Sequence, residues 1–213
     1  MDRTRYFITI EGGDGSGKTT QSLLLKEYLK IKGYRVLVTR EPGGTDLAEN
    51  IRNILLNPTS KLVPLAELFL YEAARVQHVK EIILPALKSG KIVICDRFTD
   101  ATIAYQGYGR SLSLSFINKL NLEASFGLVP NLTIYLDIVP LKGLNKAKTI
   151  CEKQYHWKDG DRFEKESVQF HKRVRRGYLN QAKKYSTRIK IIKTQNDLEK
   201  TQKLIRKVVD MEL

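Results

Sequence analysis

Short apolar runs alternate with longer amphipathic stretches along this chain. Tyr6–Ile10, Arg35–Thr39, Lys91–Cys95, Leu132–Leu136 and Arg188–Ile192 are brief and β-rich, so each predicts a strand. Helical spacing of apolar positions covers Lys18–Lys32, Leu47–Leu56, Leu65–Leu87, Thr99–Tyr105, Ser113–Phe126, Arg162–Tyr185 and Asp197–Val209. Gly33 stops the first of these, Asn57-Pro58 closes the second, Pro85 bends or breaks the third, and Asp197 caps the last. Strands that each lead into a helix or loop predict an α/β fold, a five-stranded parallel sheet flanked by helices. Ligands of such sheets bind at the carboxyl ends of the strands. Leu141–Asp161 departs from the rhythm. It is polar and lysine-rich, with a short helix expected at its start, and reads as a small lid insertion in a single domain.

The bulk composition changes this picture little. The chain has 213 residues, 42% hydrophobic and 28% charged, an ordinary globular balance with enough length to bury a core. No apolar run approaches the roughly 20 residues that span a bilayer, and Met1–Arg5 does not open a signal peptide. No membrane partner is expected. Cys95 and Cys151 suggest no disulfide framework, which predicts a reducing, cytoplasmic setting. His78, His156 and His171 show no metal spacing and read as structural or solvated.

The charge is more informative. A net +14 points to a polyanionic partner, either nucleic acid or a small phosphorylated ligand. Lysine is spread along the chain, with no arginine-rich tail and no basic run with interleaved aromatics. A solvated surface accounts for it, and no nucleic-acid partner is expected.

The chemistry begins directly after the first strand. Gly12-Gly13-Asp14-Gly15-Ser16-Gly17-Lys18-Thr19 fits G-x-x-x-x-G-K-[ST] and opens a predicted helix, the context the motif requires. Such a loop turns backbone N–H groups inward, and the positive end of the helix dipole faces the phosphates. Lys18 would reach the β and γ oxygens and the Thr19 hydroxyl would ligate Mg²⁺. The motif identifies a nucleoside triphosphate site but no reaction, since ATPases, GTPases and kinases share it.

Two further elements lie at the same sheet edge. Asp96-Arg97-Phe98 follows the third strand, where a carboxylate can hold Mg²⁺ through water and an arginine can fork onto a phosphate. Thr39-Arg40-Glu41-Pro42-Gly43-Gly44 follows the second, a proline–glycine turn that would present Arg40 to a second phosphate, with Glu41-Pro42 a candidate cis peptide.

With these elements in order, the chain resembles the thymidylate kinases over nearly its whole length. The resemblance rests on Glu11–Thr20, Arg40–Thr45, Ala73-Ala74-Arg75, Asp96-Arg97-Phe98, Ala104-Tyr105-Gln106-Gly107, Leu132–Asp137 and Asp161-Arg162-Phe163-Glu164. It implies the P-loop NTPase fold, transfer of a phosphoryl group from ATP to dTMP with Mg²⁺, and a homodimer packed through helices. It also implies residue roles. Gly12 to Thr20 would bind ATP, and Asp14 would meet the sugar 3′-OH. Arg40 and Arg97 would hold the acceptor phosphate, Pro42 would join the substrate site, and Arg75 and Thr102 would read the base. Tyr71 would stack on it, and Tyr105, with Gln106 beside it, would leave no room for a 2′-OH. Another monophosphate as acceptor stays open at this level.

The lid departs from the family's pattern. Some relatives carry an arginine within the cradle. Gly15 stands there in this chain, which resembles the class that supplies arginine from the lid, yet 141–161 contains none. It offers Lys142, Lys146, Lys148, Lys153 and Lys158, with Arg162 just beyond. Lys146 or Lys148, or failing these Arg162, is expected to supply the charge, as a point rather than a fork.

Overall fold

The computed structural model describes residues 5–154 and 161–213. Among these, five strands form one parallel sheet: β1 (Tyr6–Gly12), β2 (Val36–Arg40), β3 (Ile92–Asp96), β4 (Leu132–Asp137) and β5 (Ile189–Lys193). Their order is β2-β3-β1-β4-β5, so β1 is central, and the strand after it in space is β3 on one side and β4 on the other. Helices α1 (Lys18–Ile31), α2 (Asp46–Leu56), α3 (Pro64–His78), α4 (Leu84–Lys88), α5 (Thr99–Thr102), α6 (Leu114–Ala124), α7 (Pro140–Gln154), α8 (Val168–Lys184) and α9 (Leu198–Glu212) flank it. None is long and apolar enough to cross a membrane.

Strand alternation sorts the core into layers. Ile8, Ile10, Ile92, Ile94, Leu132 and Ile134 face Leu25 and Leu29 of α1 and Ile205 and Val209 of α9. Phe7, Val93 and Cys95 face the opposite way, against Val79, Ile83 and Phe98. Glu11, in step with Phe7 and Thr9, therefore points into that second layer and not at α1. A separate aromatic cluster of Tyr105, Tyr135, Phe163, Phe170 and Tyr178 joins α8 to the β4 side of the cleft.

Four helix boundaries differ from expectation. The stretch expected as one helix over Leu65–Leu87 passes through a π-helical turn at Val79–Ile83, which sets Pro85 in the first turn of α4, where its missing N–H costs nothing. The helix expected over Thr99–Tyr105 also widens into a π-helical stretch, Ile103–Gly109. α7 is 15 residues long, where a short helix was expected; its polar composition hid a narrow buried stripe that includes Gly143 and Ala147. α8 starts at Val168 and not at Arg162. Asp161 Oδ1 accepts the N–H groups of Phe163 (2.8 Å) and Glu164 (2.9 Å), and Ser167 caps the helix proper. These local side-chain bonds favour a turn over helix. Lys158 and His156, and the side chains of Lys153 and Cys151, lie outside the described residues.

Candidate active site

The cradle is a local consequence of β1 running into α1. Gly17 takes φ +90° and hands the chain to a helix that starts at Lys18, so the first N–H groups of α1 face the loop. Lys18 Nζ bridges the cradle to Gly13 O at 3.0 Å. Burial and then the Arg97 charge lower its pKa, against the pull of Asp96 and Asp14. Gly15 has φ +69°, and a Cβ there would overlap the carbonyl oxygen of Gly143 in α7. No side chain fits at position 15 while α7 lies against the cradle.

The ends of β1, β2 and β3 bring the other expected residues to the same place. Thr19 Oγ1 donates to Asp96 Oδ2 at 2.6 Å, pairing two hard oxygen ligands at the mouth of the cradle. Arg97 takes φ +71° and turns its guanidinium across the cleft, where Nη2 donates to Asp14 Oδ1 (2.7 Å) and to the Tyr105 hydroxyl (3.0 Å). Burial disfavours charge on Asp14, but Arg97, then Lys18 and His171, outweigh it and hold its carboxyl below the usual range. Arg40, at the end of β2, donates through Nη2 to Glu49 Oε1 at 2.9 Å and is half exposed. The Glu41-Pro42 bond beside it is cis, as the sequence suggested.

At the far end Arg75 is buried. Its Nε donates to Glu41 (2.8 Å), its Nη1 to Glu72 (2.9 Å) and Asn121 (2.7 Å), and its Nη2 to Thr102 (3.0 Å). Of its five N–H donors, one on Nη2 is left for a ligand. Burial weakens its charge, but Glu72 and then Glu41 more than restore it and raise its pKa. Glu41, in turn, is pulled below its usual range by Arg75 and His78 despite burial.

One cleft of about 850 Å³, open solvent at its mouth included, connects these groups. Asp14, Lys18, Thr19, Arg40, Pro42, Tyr71, Arg75, Asp96, Arg97, Thr102, Tyr105 and Gln106 all line it, a size and polarity suited to a nucleotide. Gln106 sits at its edge and donates to Glu67 at 2.8 Å. The cations expected to act from 141–162 stand apart. Lys146 and Lys148 are exposed on α7. Arg162 is turned away from the cleft, donating to Glu67 Oε2 (2.6 Å) and Leu55 O (2.8 Å), and so ties the turn at 161–163 to α2 and α3.

Several residues in or behind the cleft were given no role by the sequence. Arg52 reaches the cleft from α2 with Nη1 on Pro42 O at 2.8 Å, yet in the sequence it is one more charge on an amphipathic helix. Glu67, fully buried, gathers Gln106, Arg110 and Arg162. In the sequence Glu67 is one of several polar residues on the buried face of α3, with Glu72, Arg75 and His78. Glu11 is likewise buried. Burial, with Asp100 nearby, pushes its carboxyl up to about 8, against the opposing pull of Arg97, Tyr178 and the Phe98 N–H.

Comparison with known proteins matches this arrangement. The family model described as thymidylate kinase matches residues 10–205. The thymidylate kinase of Citrifermentans bemidjiense is 48% identical, covering 94% of this chain and 89% of that protein. That of Geotalea daltonii is 50% identical, covering 92% of each. The crystal structure of thymidylate kinase from Ehrlichia chaffeensis superposes with a TM-score of 0.77 at 40% identity, over 97% of this chain and 98% of that one.

Proposed function

The chain belongs to the thymidylate kinase family, and on that premise we infer that its cleft phosphorylates dTMP to dTDP with ATP as donor. The observation that carries the reading of the site is the single cleft, with the cradle and two arginines at one end and a buried, partly unsatisfied arginine at the other.

The acceptor is a phosphate monoester with a second pKa of about 6, so near neutral pH it is largely dianionic and needs no general base. The obstacle is repulsion between two polyanions, which the protein answers with positive charge and alignment. Lys18 and the N-terminus of α1 hold the donor phosphates. Arg40 and Arg97, each resting on a carboxylate in the free enzyme, transfer to the acceptor phosphate as it arrives. Asp14, released from Arg97, is left to accept the sugar 3′-OH. Tyr71 offers its ring to the base, the free N–H of Arg75 and the Thr102 hydroxyl meet the base edge, and Tyr105 with Gln106 closes the space at the sugar's 2′ position.

Mg²⁺ fits the donor set of Thr19 and Asp96, which would hold it, Asp96 through water; when bound it neutralises charge on the donor phosphates. The lid then adds Lys146 or Lys148 over the transferred group and excludes water. Outward side chains on α3 and α6, among them Leu65, Phe69, Phe116 and Leu122, support a homodimer through these helices. The rings of Phe69 and Phe116 lie 6.4 Å apart across them. The buried free thiol of Cys95 fits the reducing cytoplasm.

A coupled ADP-release assay over dTMP, dUMP, dCMP, dGMP and AMP tests the assignment. The highest kcat/KM should fall on dTMP and vanish when EDTA is added. A preference for any other acceptor refutes the base-end reading. Sedimentation of the wild type against Phe69→Glu tests the dimer.

A further inference from the structure

Glu11 is the last side chain of β1 before the cradle glycines and is fully buried. Among the described residues no cation lies within ion-pair distance of it. An acid in that position disfavours its own ionisation, as its raised pKa reflects. A hydrophobic residue of similar size would suit the surrounding layer better unless the two oxygens have work to do.

Both oxygens are engaged, and both engagements converge on Arg97. Oε1 accepts the N–H of Phe98 at 2.7 Å. Phe98 follows Arg97, whose φ of +71° is one that side-chain-bearing residues avoid and that persists only where its surroundings hold it. The other flank is held by Arg97 N–H on Ile10 O at 3.0 Å. β1 thus clamps the turn on both sides, once through its backbone and once through Glu11. Oε2 accepts the Tyr178 hydroxyl at 2.8 Å. Whichever of the two groups supplies the proton in that contact, the Tyr178 oxygen keeps a lone pair for Arg97 Nη1, 3.4 Å away.

We propose that Glu11 is a positioning residue for the acceptor phosphate: it never touches substrate, but fixes the backbone of Arg97 through Phe98 and its guanidinium through Tyr178. This rests on the reading of Arg97 as an acceptor-phosphate arginine. It makes the left-handed turn after β3 a device that swings an arginine from the sheet edge across the cleft, with β1 supplying the latch.

Steady-state kinetics of Glu11→Leu, Glu11→Gln, Arg97→Ala and the Glu11→Leu/Arg97→Ala double variant test it. For Glu11→Leu the KM for dTMP should rise at least tenfold while the KM for ATP stays within twofold. Glu11→Gln, whose amide oxygen still accepts the Phe98 N–H, should recover most of that loss. The double variant should be no worse toward dTMP than Arg97→Ala alone, because the latch has nothing left to hold. If Glu11→Leu does not fold, Glu11→Asp, too short to reach both partners, replaces it with the same expected pattern. Multiplying defects in the double variant, an unchanged KM for dTMP, or equal rises in both KM values would overturn the proposal. Should Arg97→Ala leave dTMP kinetics intact, the reading of Arg97 fails and this role with it. An impaired Arg97→Ala beside a normal Glu11→Leu removes the Glu11 role alone.

Discussion

Arg40 and Arg75, at the two ends of the cleft, are held in opposite ways. At the phosphate end, the side chain of Arg40 is 52% exposed and rests on Glu49 alone. At the base end, the side chain of Arg75 is 2% exposed and shared among Glu41, Glu72, Asn121 and Thr102. An exposed pair is worth about 0–1 kcal/mol, so a phosphate can take Arg40 from Glu49 at little cost. Removing one member of a buried ionic network costs about 3–5 kcal/mol, because the charges left behind stay unpaired. The base end is therefore finished before substrate arrives and reads a fixed shape. Arg40 keeps its charge on loan, whereas Arg97 beside it is held by Asp14, Tyr105 and Tyr178.

The largest test of this contrast is Lys18→Ala. Among the described residues the only hydrogen bond of its ammonium is to Gly13 O, so melting should barely change. kcat should nevertheless fall by about a thousandfold or more, as when charge aimed at a transferring phosphoryl group is removed. Next comes Arg75→Met, which strands Glu41 and Glu72. It should cost about 3–5 kcal/mol in urea unfolding and raise the KM for dTMP. Arg40→Ala should do the reverse. kcat/KM for dTMP should drop about 10- to 100-fold, the worth of one charged hydrogen bond, with stability within about 1 kcal/mol of wild type. If Arg40→Ala melts as early as Arg75→Met, the contrast between the ends collapses.

Smaller effects sharpen the same picture at the lid and in the core. Lys146→Ala/Lys148→Ala should lower kcat by about tenfold without changing stability, since both side chains are exposed. Arg162→Ala should act chiefly on stability, by leaving Glu67 with one cation fewer. Unchanged turnover with alanine at all three would end the idea of a lysine lid. A pH-dependent effect concerns Glu11. Its carboxyl is raised from 4.5 to about 8 in the folded state, so folded protein keeps a proton that the unfolded chain releases. Stability is then fullest below about pH 4.5 and declines as pH rises toward 8. Glu11→Gln should flatten that decline by at most one proton, about 1.4 kcal/mol per pH unit. Parallel profiles would show that Glu11 is ionised in the fold.

The phosphate end was the legible one. Gly12–Thr19 is contiguous, and its chemistry follows from glycines, a strand before and a helix after. The base end was legible only in outline. Arg75 stood out as a charge on a largely apolar helical stretch, but Glu41 and Asn121, its partners from 34 and 46 positions away, did not. Arg162 was misleading for a related reason. Beside a lysine-rich lid it looks like a spare cation, and only the packing of 161–163 against α2 and α3 brings it to Glu67. The start of α8 was misjudged because turn-forming bonds at Asp161 compete with a sequence that is otherwise helical.

By itself, the sequence determined the alternation of strands and helices, the cradle and the carboxyl-end placement of Asp96 and Arg40. Each of these depends on residues within a few positions of one another. The tertiary structure decided which buried acid meets which arginine, that Gly15 packs against α7, and that Glu11 faces Phe98 and Tyr178. Those contacts depend on the order β2-β3-β1-β4-β5, which sets β1 between β3 and β4 and brings together side chains as far apart as Glu11 and Tyr178. Hydrophobic periodicity says that a side chain is buried. It does not say opposite whom, and for a buried charge the partner decides the chemistry.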